Sequence, residues 1–298
     1  MGAGKAFETV DALSKALAEH NFLPTKGMAT ALFLALKLEK PLLLEGLSGC
    51  GKTELARTLA PMLSTTLIRL QCYEGIDVHE ALYDWDYSKQ LLHLRSIQAV
   101  DGAASDPRRS ATDLYTDEYL LERPLLSALK QPQRPVLLLD ELDRADVDFE
   151  AFLLEFLEEF QVTIPEVGSI KAAHAPIVII TSNRTRELHD ALRRRCVYCW
   201  VDLPDPEREE RILRVRNPDI APDIVKAVVG AAARLRSLDL RKHPGVSETA
   251  DWARAIHLLA NGASPSTDYY RETLSAVVKD RDDLALAEAN FDALIDAN

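Results

Sequence analysis

The stretch Pro41-Leu42-Leu43-Leu44-Glu45-Gly46-Leu47-Ser48-Gly49-Cys50-Gly51-Lys52-Thr53-Glu54-Leu55-Ala56 decides the fold. Its centre, Gly46 to Thr53, spells G-x-x-x-x-G-K-T, the phosphate-cradling P-loop. Pro41 to Glu45 is a short apolar run that predicts a buried strand, and Leu55 and Leu59 after the loop stand at helical spacing. Strand, glycine loop and helix in that order give the motif its meaning. Glycines let backbone N–H groups turn inward toward an anion, and the helix N-terminus adds a partial positive charge. Gly46, Ser48, Gly49, Cys50, Gly51, Lys52, Thr53 and Glu54 are therefore the expected nucleotide-binding residues. Lys52 is expected to reach the β- and γ-phosphates of ATP, and the Thr53 hydroxyl to sit on Mg²⁺.

Outward from the loop, the chain reads as an α/β protein. Thr66–Cys72, Pro135–Asp140, Pro176–Thr181 and Cys196–Leu203 are four more short, nearly all-apolar runs. Such runs suit a parallel sheet buried on both faces. Helical periodicity covers residues 6–20 and 26–38, separated by Pro24, and Asp148–Phe160 carries one stripe of Phe and Leu. Past Pro204-Asp205-Pro206 only helical patterns remain. The predicted division is an α/β nucleotide-binding domain over 1–204 and a small all-α domain over 205–298. Two segments exceed a minimal layer. Near 73–103, Tyr83, Trp85 and Tyr87 alternate with Asp84 and Asp86, ahead of Leu91-Leu92-His93-Leu94. Gln161–Ala172 reads as a β-hairpin with Pro165 and Gly168 in its turn. Both read as inserts, packed as ordinary hairpins or offering a surface that grips a partner protein.

Bulk composition narrows the function. The chain has 298 residues, 47% hydrophobic and 28% charged, with a net charge of −12. Phosphate contacts need clustered Lys and Arg, so this balance argues against a general binder of nucleic acid or anionic membrane. No apolar run approaches the ~20 residues that span a bilayer. The N-terminal stretch lacks an apolar signal core, and residue 6 is Ala, which disfavours myristoylation, so a cytoplasmic location is expected. Four cysteines make no disulfide framework. Cys196 and Cys199 form a C-x-x-C, but on a strand positions i and i+3 face opposite ways and cannot share a metal. Cys50 sits at a helix N-terminus, where a thiol pKa can fall.

Three further motifs carry chemistry. Val136–Asp140 followed by Glu141 is a buried strand ending in an acid pair downstream of a P-loop. Asp140 is expected in the Mg²⁺ shell, and Glu141 to polarise a water in line with the γ-phosphate. Asn183 ends Ile177–Asn183 and is expected to hold that water or touch the γ-phosphate, or else to cap the following turn. Arg193-Arg194-Arg195 lies at the end of a helix leading into the last strand. There a ring subunit would point a cation at its neighbour's γ-phosphate; Arg195 is the expected finger and Arg194 the alternative. Such a finger supplies about 10³–10⁵ in rate.

Strand, P-loop, Asp-Glu, Asn and Arg followed by helices resemble an AAA+ ATPase with a helical lid and the P-loop strand near the middle of the sheet. PLLLEGLSGCGKTELA, LLLDELDRAD, FLLEFLEEFQVTIPEVG and IVIITSNRTREL are similar to the MoxR family. LFLALKLEKPLLLEG, HEALYDWDYSKQLLHLR, YLLERPLLSAL and HPGVSETADWARAI resemble a narrower branch, proposed to help mature the metal site of aerobic carbon monoxide dehydrogenase. The likeness runs from about residue 20 to 260. It implies a homo-oligomeric ring, a hexamer, with a von Willebrand A domain adaptor and a client metalloenzyme. One departure stands out: Thr249 occupies the place of the lid (sensor-2) arginine, and Arg254 on the same predicted helix is the substitute to consider. Two other readings share the core motifs. A nucleotide-controlled regulator of nucleic acid or transcription is disfavoured by the acidic balance. A module using ATP only as a switch is disfavoured by Glu141 and the Arg run.

Overall fold

In the computed structural model, residues 7–101, 114–165 and 167–295 are described. Their strands are, in chain order, β1 (Leu42–Gly46), β2 (Leu67–Gln71), β3 (Tyr83–Trp85), β4 (Leu120–Glu122), β5 (Val136–Asp140), β6 (Gln161–Ile164), β7 (Gly168–Lys171), β8 (Ile177–Ser182) and β9 (Val197–Val201). Five of them form one sheet in the order β2-β5-β8-β1-β9, and every pairing in it is parallel. β8 holds the centre, and β1 lies one strand in from the β9 edge. The P-loop strand is thus flanked on both sides but is not the middle one.

Period-two alternation explains why the strands are apolar throughout. Leu43, Leu137, Leu139, Val178 and Ile180 enter one core, with Leu125 and Leu129 of the helix Pro124–Lys130 and Phe149, Leu153 and Phe156 of the helix Val147–Glu159. Leu42, Leu44, Leu138 and Ile179 enter the opposite core, with residues of the helices Val10–Glu19, Lys26–Leu38 and Lys52–Met62. Both faces are covered, as a parallel sheet requires. Cys196 packs against the first core and Cys199 lies in the second, so the sheet separates the two thiols. Among the described residues no cluster of three or more His, Cys, Asp or Glu is placed to hold a metal.

After Pro204 the described chain is helical only, beginning with Pro206–Arg216, whose N-terminus is capped by the Asp205 side chain. This region has a third core of its own, built on Val225, Val228, Trp252, Ile256 and Phe291. Trp252 is fully buried, and its indole N–H donates to Thr273 Oγ1 at 2.9 Å, so the one polar atom of the ring is satisfied.

Both segments beyond the minimal layer are present. β6 and β7 pair antiparallel as a hairpin, with Gly168 at φ 99 where the chain turns back. The first is larger than its sequence suggests. β3 carries Tyr83 and Trp85 and pairs antiparallel with β4, which lies more than 30 residues downstream. Tyr87 opens a helix, Tyr87–Asp101, and does not continue the strand. Residues 102–103 of the expected insert fall outside the described residues. Trp85 is only 8% exposed, stacked edge-on against Tyr83 and Tyr115, whereas Tyr87 is 65% exposed. The aromatic surface foreseen over 83–87 therefore reduces to Tyr87 and the half-buried Tyr83. Among the described residues no helix is long and apolar enough to cross a membrane.

Candidate active site

β1 runs into the loop that ends at Lys52, the first residue of the helix Lys52–Met62. The loop's tightness has a definite cause. A Cβ on Gly46 would collide with the Val201 carbonyl oxygen, so β9 closes directly on the strand end. Gly49 and Gly51 have φ of 78 and 90, a conformation that side chains rarely adopt. A Cβ on Gly49 would lie 2.9 Å from Cα of Gly245, which opens the helix Val246–Ala260. Val246 N–H donates to the Gly49 carbonyl at 3.0 Å. The helical region is thus docked on the P-loop backbone to backbone.

Lys52 is buried, and its ammonium donates to the carbonyls of Gly46 and Leu47 at 2.7 Å each and to Asn183 Oδ1 at 2.9 Å. Asn183, just past β8, donates through Nδ2 to Glu141 Oε1 at 3.1 Å. Lys52, Asn183 and Glu141 are therefore joined in one chain of hydrogen bonds, although up to 131 residues separate them in sequence. Glu141 follows β5 at φ 56, and Arg184 follows Asn183 at φ 59. Left-handed backbone at a non-glycine residue costs about 1–2 kcal/mol. Here it turns the chain sharply at the ends of two neighbouring strands.

Beside this chain lies the second pair. Thr53 Oγ1 donates to Asp140 Oδ1 at 2.9 Å. One hydroxyl and one carboxylate are the few hard oxygen donors that Mg²⁺ takes from a protein when substrate phosphates and water complete its octahedron. The donor set fits that ion. Thr181 on β8 donates to the same Asp140 oxygen at 2.6 Å and accepts from Glu141 N–H at 2.8 Å, tying both acids to the central strand. Arg69 on β2 takes the other oxygen, Oδ2, through Nε at 2.9 Å and Nη2 at 2.6 Å.

Asp143 positions Asn183. Its carboxylate accepts from Asn183 N–H at 3.1 Å, Thr185 N–H at 2.8 Å and Thr185 Oγ1 at 2.6 Å. Burial pushes this carboxyl up, but the Thr185 hydroxyl and the backbone N–H groups outweigh it and hold the pKa below the ordinary carboxylate value. Cys50 goes the other way. Burial raises its thiol pKa despite nearby Lys52, and Sγ donates to the Leu47 carbonyl at 2.9 Å. The helix N-terminus does not make this thiol acidic, because burial outweighs the Lys52 ammonium, which itself donates to Sγ at 3.7 Å.

Two cavities flank the P-loop. The larger, about 440 Å³, is bordered by apolar side chains such as Phe22, Met28 and Val246 and by polar ones such as Asp205, Arg208 and Arg254, and is of the size that takes a small molecule. The smaller, about 250 Å³, is polar and contains Lys52, Thr53, Asp140, Glu141 and Asn183, with Glu54 on its rim.

The arginine run diverges. Arg193 reaches back to buried Glu45 on β1 at 3.6 Å. Arg194 pairs with Asp190 and its side chain is 80% exposed. Arg195 donates to the Leu154 carbonyl at 2.8 Å and pairs with Glu158 at 3.0 Å. None of the three is brought to this chain's own polar cavity. Thr249 is fully buried, its hydroxyl bonded to Gly245 O and to Arg236, and it borders neither cavity. Arg254 borders the larger cavity and donates to Asn217 Oδ1 at 2.8 Å. Arg69, Asp143 and Thr181 were not legible as site residues. Each stands in a quoted segment, but only the strand order brings them to Asp140 and Asn183.

A P-loop opening a parallel α/β layer, with an acid pair and a polar strand end beside it, defines a P-loop nucleotide-binding protein. Residues 41–196, more than half of the chain, match the family described as AAA domain (dynein-related subfamily), and the chain belongs to that family. It is 25% identical over 234 residues to an uncharacterized protein of Staphylococcus epidermidis, covering 76% of this chain and 78% of that one. An uncharacterized protein of Staphylococcus haemolyticus is 26% identical over 233 residues, with the same two coverages. Among solved structures, a RuvB variant of Thermotoga maritima superposes with a TM-score of 0.50 at 17% identity, covering 89% of this chain and 71% of that one. That likeness concerns the fold, the AAA+ P-loop sheet with a helical C-terminal region.

Proposed function

We propose that this chain is an Mg²⁺-dependent ATPase that works as one subunit of a homo-oligomeric ring, a hexamer. The observation that carries the reading is the hydrogen-bonded line Lys52–Asn183–Glu141 beside the Thr53–Asp140 pair. Lys52 would neutralise the β- and γ-phosphates, held by the N–H groups of residues Gly46 to Glu54. Thr53 and Asp140 would hold Mg²⁺, which would supply charge neutralisation to the phosphates when bound. Glu141, kept in register by Asn183 and Gln71, would take the proton of the attacking water. The larger cavity suits the nucleoside. Residues 1–204 would form the nucleotide-binding domain and 205–298 the lid. Arg195, or else Arg194, would serve the neighbouring subunit, which agrees with its position outside this chain's own site.

Above the chemistry, the resemblance to MoxR proteins, and to CoxD within them, supports a role in remodelling a client metalloenzyme or maturing its metal cofactor, beside a von Willebrand A domain adaptor in the cytoplasm. The primary test is phosphate release from ATP by the purified chain, with and without Mg²⁺. Mg²⁺-dependent release that rises in specific activity with protein concentration is expected. Absence of release, at concentrations where nucleotide binding is saturated and rings are present, would reduce the protein to a nucleotide switch. Affinity capture should recover the adaptor and a metalloenzyme together; capture of nucleic acid in their place would contradict the client assignment.

A further inference from the structure

We infer that Glu45 is a positioning residue for the arginine that one subunit lends its neighbour: through Arg193 it fixes the short helix whose end carries Arg195. The inference rests on the ring reading above. Glu45 lies on β1, one residue before the P-loop begins at Gly46, and borders neither cavity. Its side chain is 1% exposed, and neither carboxylate oxygen has a hydrogen bond of ordinary length. Among the described residues three buried side-chain atoms stand that way, and two of them are on Glu45. The third, on Glu150, is ion-paired with Arg186. A buried charge without close partners costs stability, so its presence calls for another explanation. The cation that faces it is Arg193, whose Nη2 stands 3.6 Å from Oε2 and whose guanidinium lies over the Tyr198 ring at 5.6 Å. Tyr198, on the neighbouring β9, feels the same carboxylate: burial and then Glu45 raise its phenol pKa.

Arg193 belongs to the six-residue helix Asp190–Arg195. Leu192 plugs this helix into the first core. Arg193 ties one side of it to Glu45, and Arg195 ties the other to the Leu154 carbonyl and Glu158. Residues two apart on a helix point about 200° apart, so the two arginines look opposite ways. To meet a neighbour's phosphate, Arg195 must release Leu154 and Glu158. Its ion pair with Glu158 is open to solvent at both ends and weakly held. Leu192 and the Arg193–Glu45 pair then hold the helix. Apolar burial has no preferred direction, so Leu192 alone would let the helix swivel. An ion pair anchored in the sheet does have a direction, and β1 is paired on both edges, to β8 and to β9. Glu45 therefore sets the rotation of the helix and the reach of Arg195, without touching a phosphate itself.

The test measures ATPase of the full chain in assembled rings, first of one variant and then of two mixed. Glu45→Gln keeps the shape and removes the charge; it should lower kcat about tenfold or more and leave KM for ATP near wild type. Arg193→Gln should do the same, and Arg193→Lys, which keeps the charge, should recover part of the loss. Mixing then assigns the subunit on which Glu45 acts. The reference mixture, Arg195→Ala with Glu141→Gln, should recover activity; without recovery there the trans reading itself fails, and this inference with it. Given that recovery, Glu45→Gln should also recover with Glu141→Gln, whose arginine corner is intact. It should not recover with Arg195→Ala, which shares its defect. The opposite pattern would mean that Glu45 shapes its own P-loop, and the inference would be wrong. Recovery in both mixtures or in neither, a raised KM with kcat unchanged, or a wild-type kcat would overturn it as well. Should Glu45→Gln fail to fold or to assemble, Arg193→Gln, changed at the more exposed end of the pair, decides in its place.

Discussion

The carboxyl ends of β1, β5 and β8 and the corner at Arg193–Arg195 are both rich in charge, and they are wired in opposite ways. At the strand ends the groups satisfy one another: Lys52 on Asn183, Asn183 on Glu141, Thr53 and Thr181 on Asp140. At the corner Arg194 and Arg195 look outward, onto Asp190 and Glu158, whose own side chains are 71% and 63% exposed. Arg193 links the two regions through Glu45 on the strand that leads into the P-loop. A cluster closed on itself is organised by one chain. A solvated cation at an exposed corner gains little from such pairs; under the proposal above, Arg195 or Arg194 acts on a phosphate that a second copy brings to it.

The sharpest way to break that contrast is Arg195→Ala. In assembled rings it should lower turnover by up to about 10³–10⁵ while nucleotide affinity stays near wild type, because the P-loop is untouched. Measured turnover near wild type in Arg195→Ala, with the loss found in Arg194→Ala, would move the finger to the more exposed neighbour. Glu141→Gln attacks the closed side. Turnover should fall by about 10²–10⁴ with ATP still bound, since the proton acceptor is lost and the Thr53–Asp140 pair remains. Normal phosphate release would remove Glu141 from the chemistry.

Asp143→Asn comes next in size. The amide cannot accept all three bonds that hold Asn183 and Thr185, and a buried group left unsatisfied costs about 1–3 kcal/mol. Thermal melts should record that loss, and turnover should drop more than nucleotide affinity. The same carboxylate sets a pH dependence. Its pKa is lowered on folding, so its contribution is fully present above the ordinary carboxylate value and is lost as pH falls through the lower folded value. The stability lost to Asp143→Asn should therefore be constant across neutral pH and shrink only on the acid side. The smallest effect on chemistry is expected from Tyr87→Ala on the insert, with basal ATPase unchanged and adaptor or client capture weakened. Trp85→Ala is the wrong probe for that surface, because it would open a cavity in the insert at about 3–5 kcal/mol.

Much of the closed side was legible from local pattern alone. The P-loop, Asp140, Glu141 and Asn183 sit where apolar runs end, and strand ends are marked by the same alternation that fills the two cores. Local pattern could not say which strand lies in the centre, because β8 earns that place through pairing with β1 and β5, which leaves no trace in its own residues. Arg69 reaches Asp140 only because β2 pairs with β5, a neighbour its own segment does not specify. Trp85 and Tyr87 belonged to one alternating run in sequence, and pairing of β3 with β4 separated them into core and surface.

The central claim is that the hydrolytic site of one chain is completed by an arginine of another. Mixing Arg195→Ala with Glu141→Gln tests it most directly. Each variant alone should be nearly inactive, but a mixed ring contains interfaces where an intact Glu141 faces an intact Arg195. Recovery of part of the wild-type ATPase on mixing, in rings shown to hold both variants, is the result expected. Full activity of the wild-type chain at a demonstrated monomer, independent of protein concentration, would contradict the claim outright.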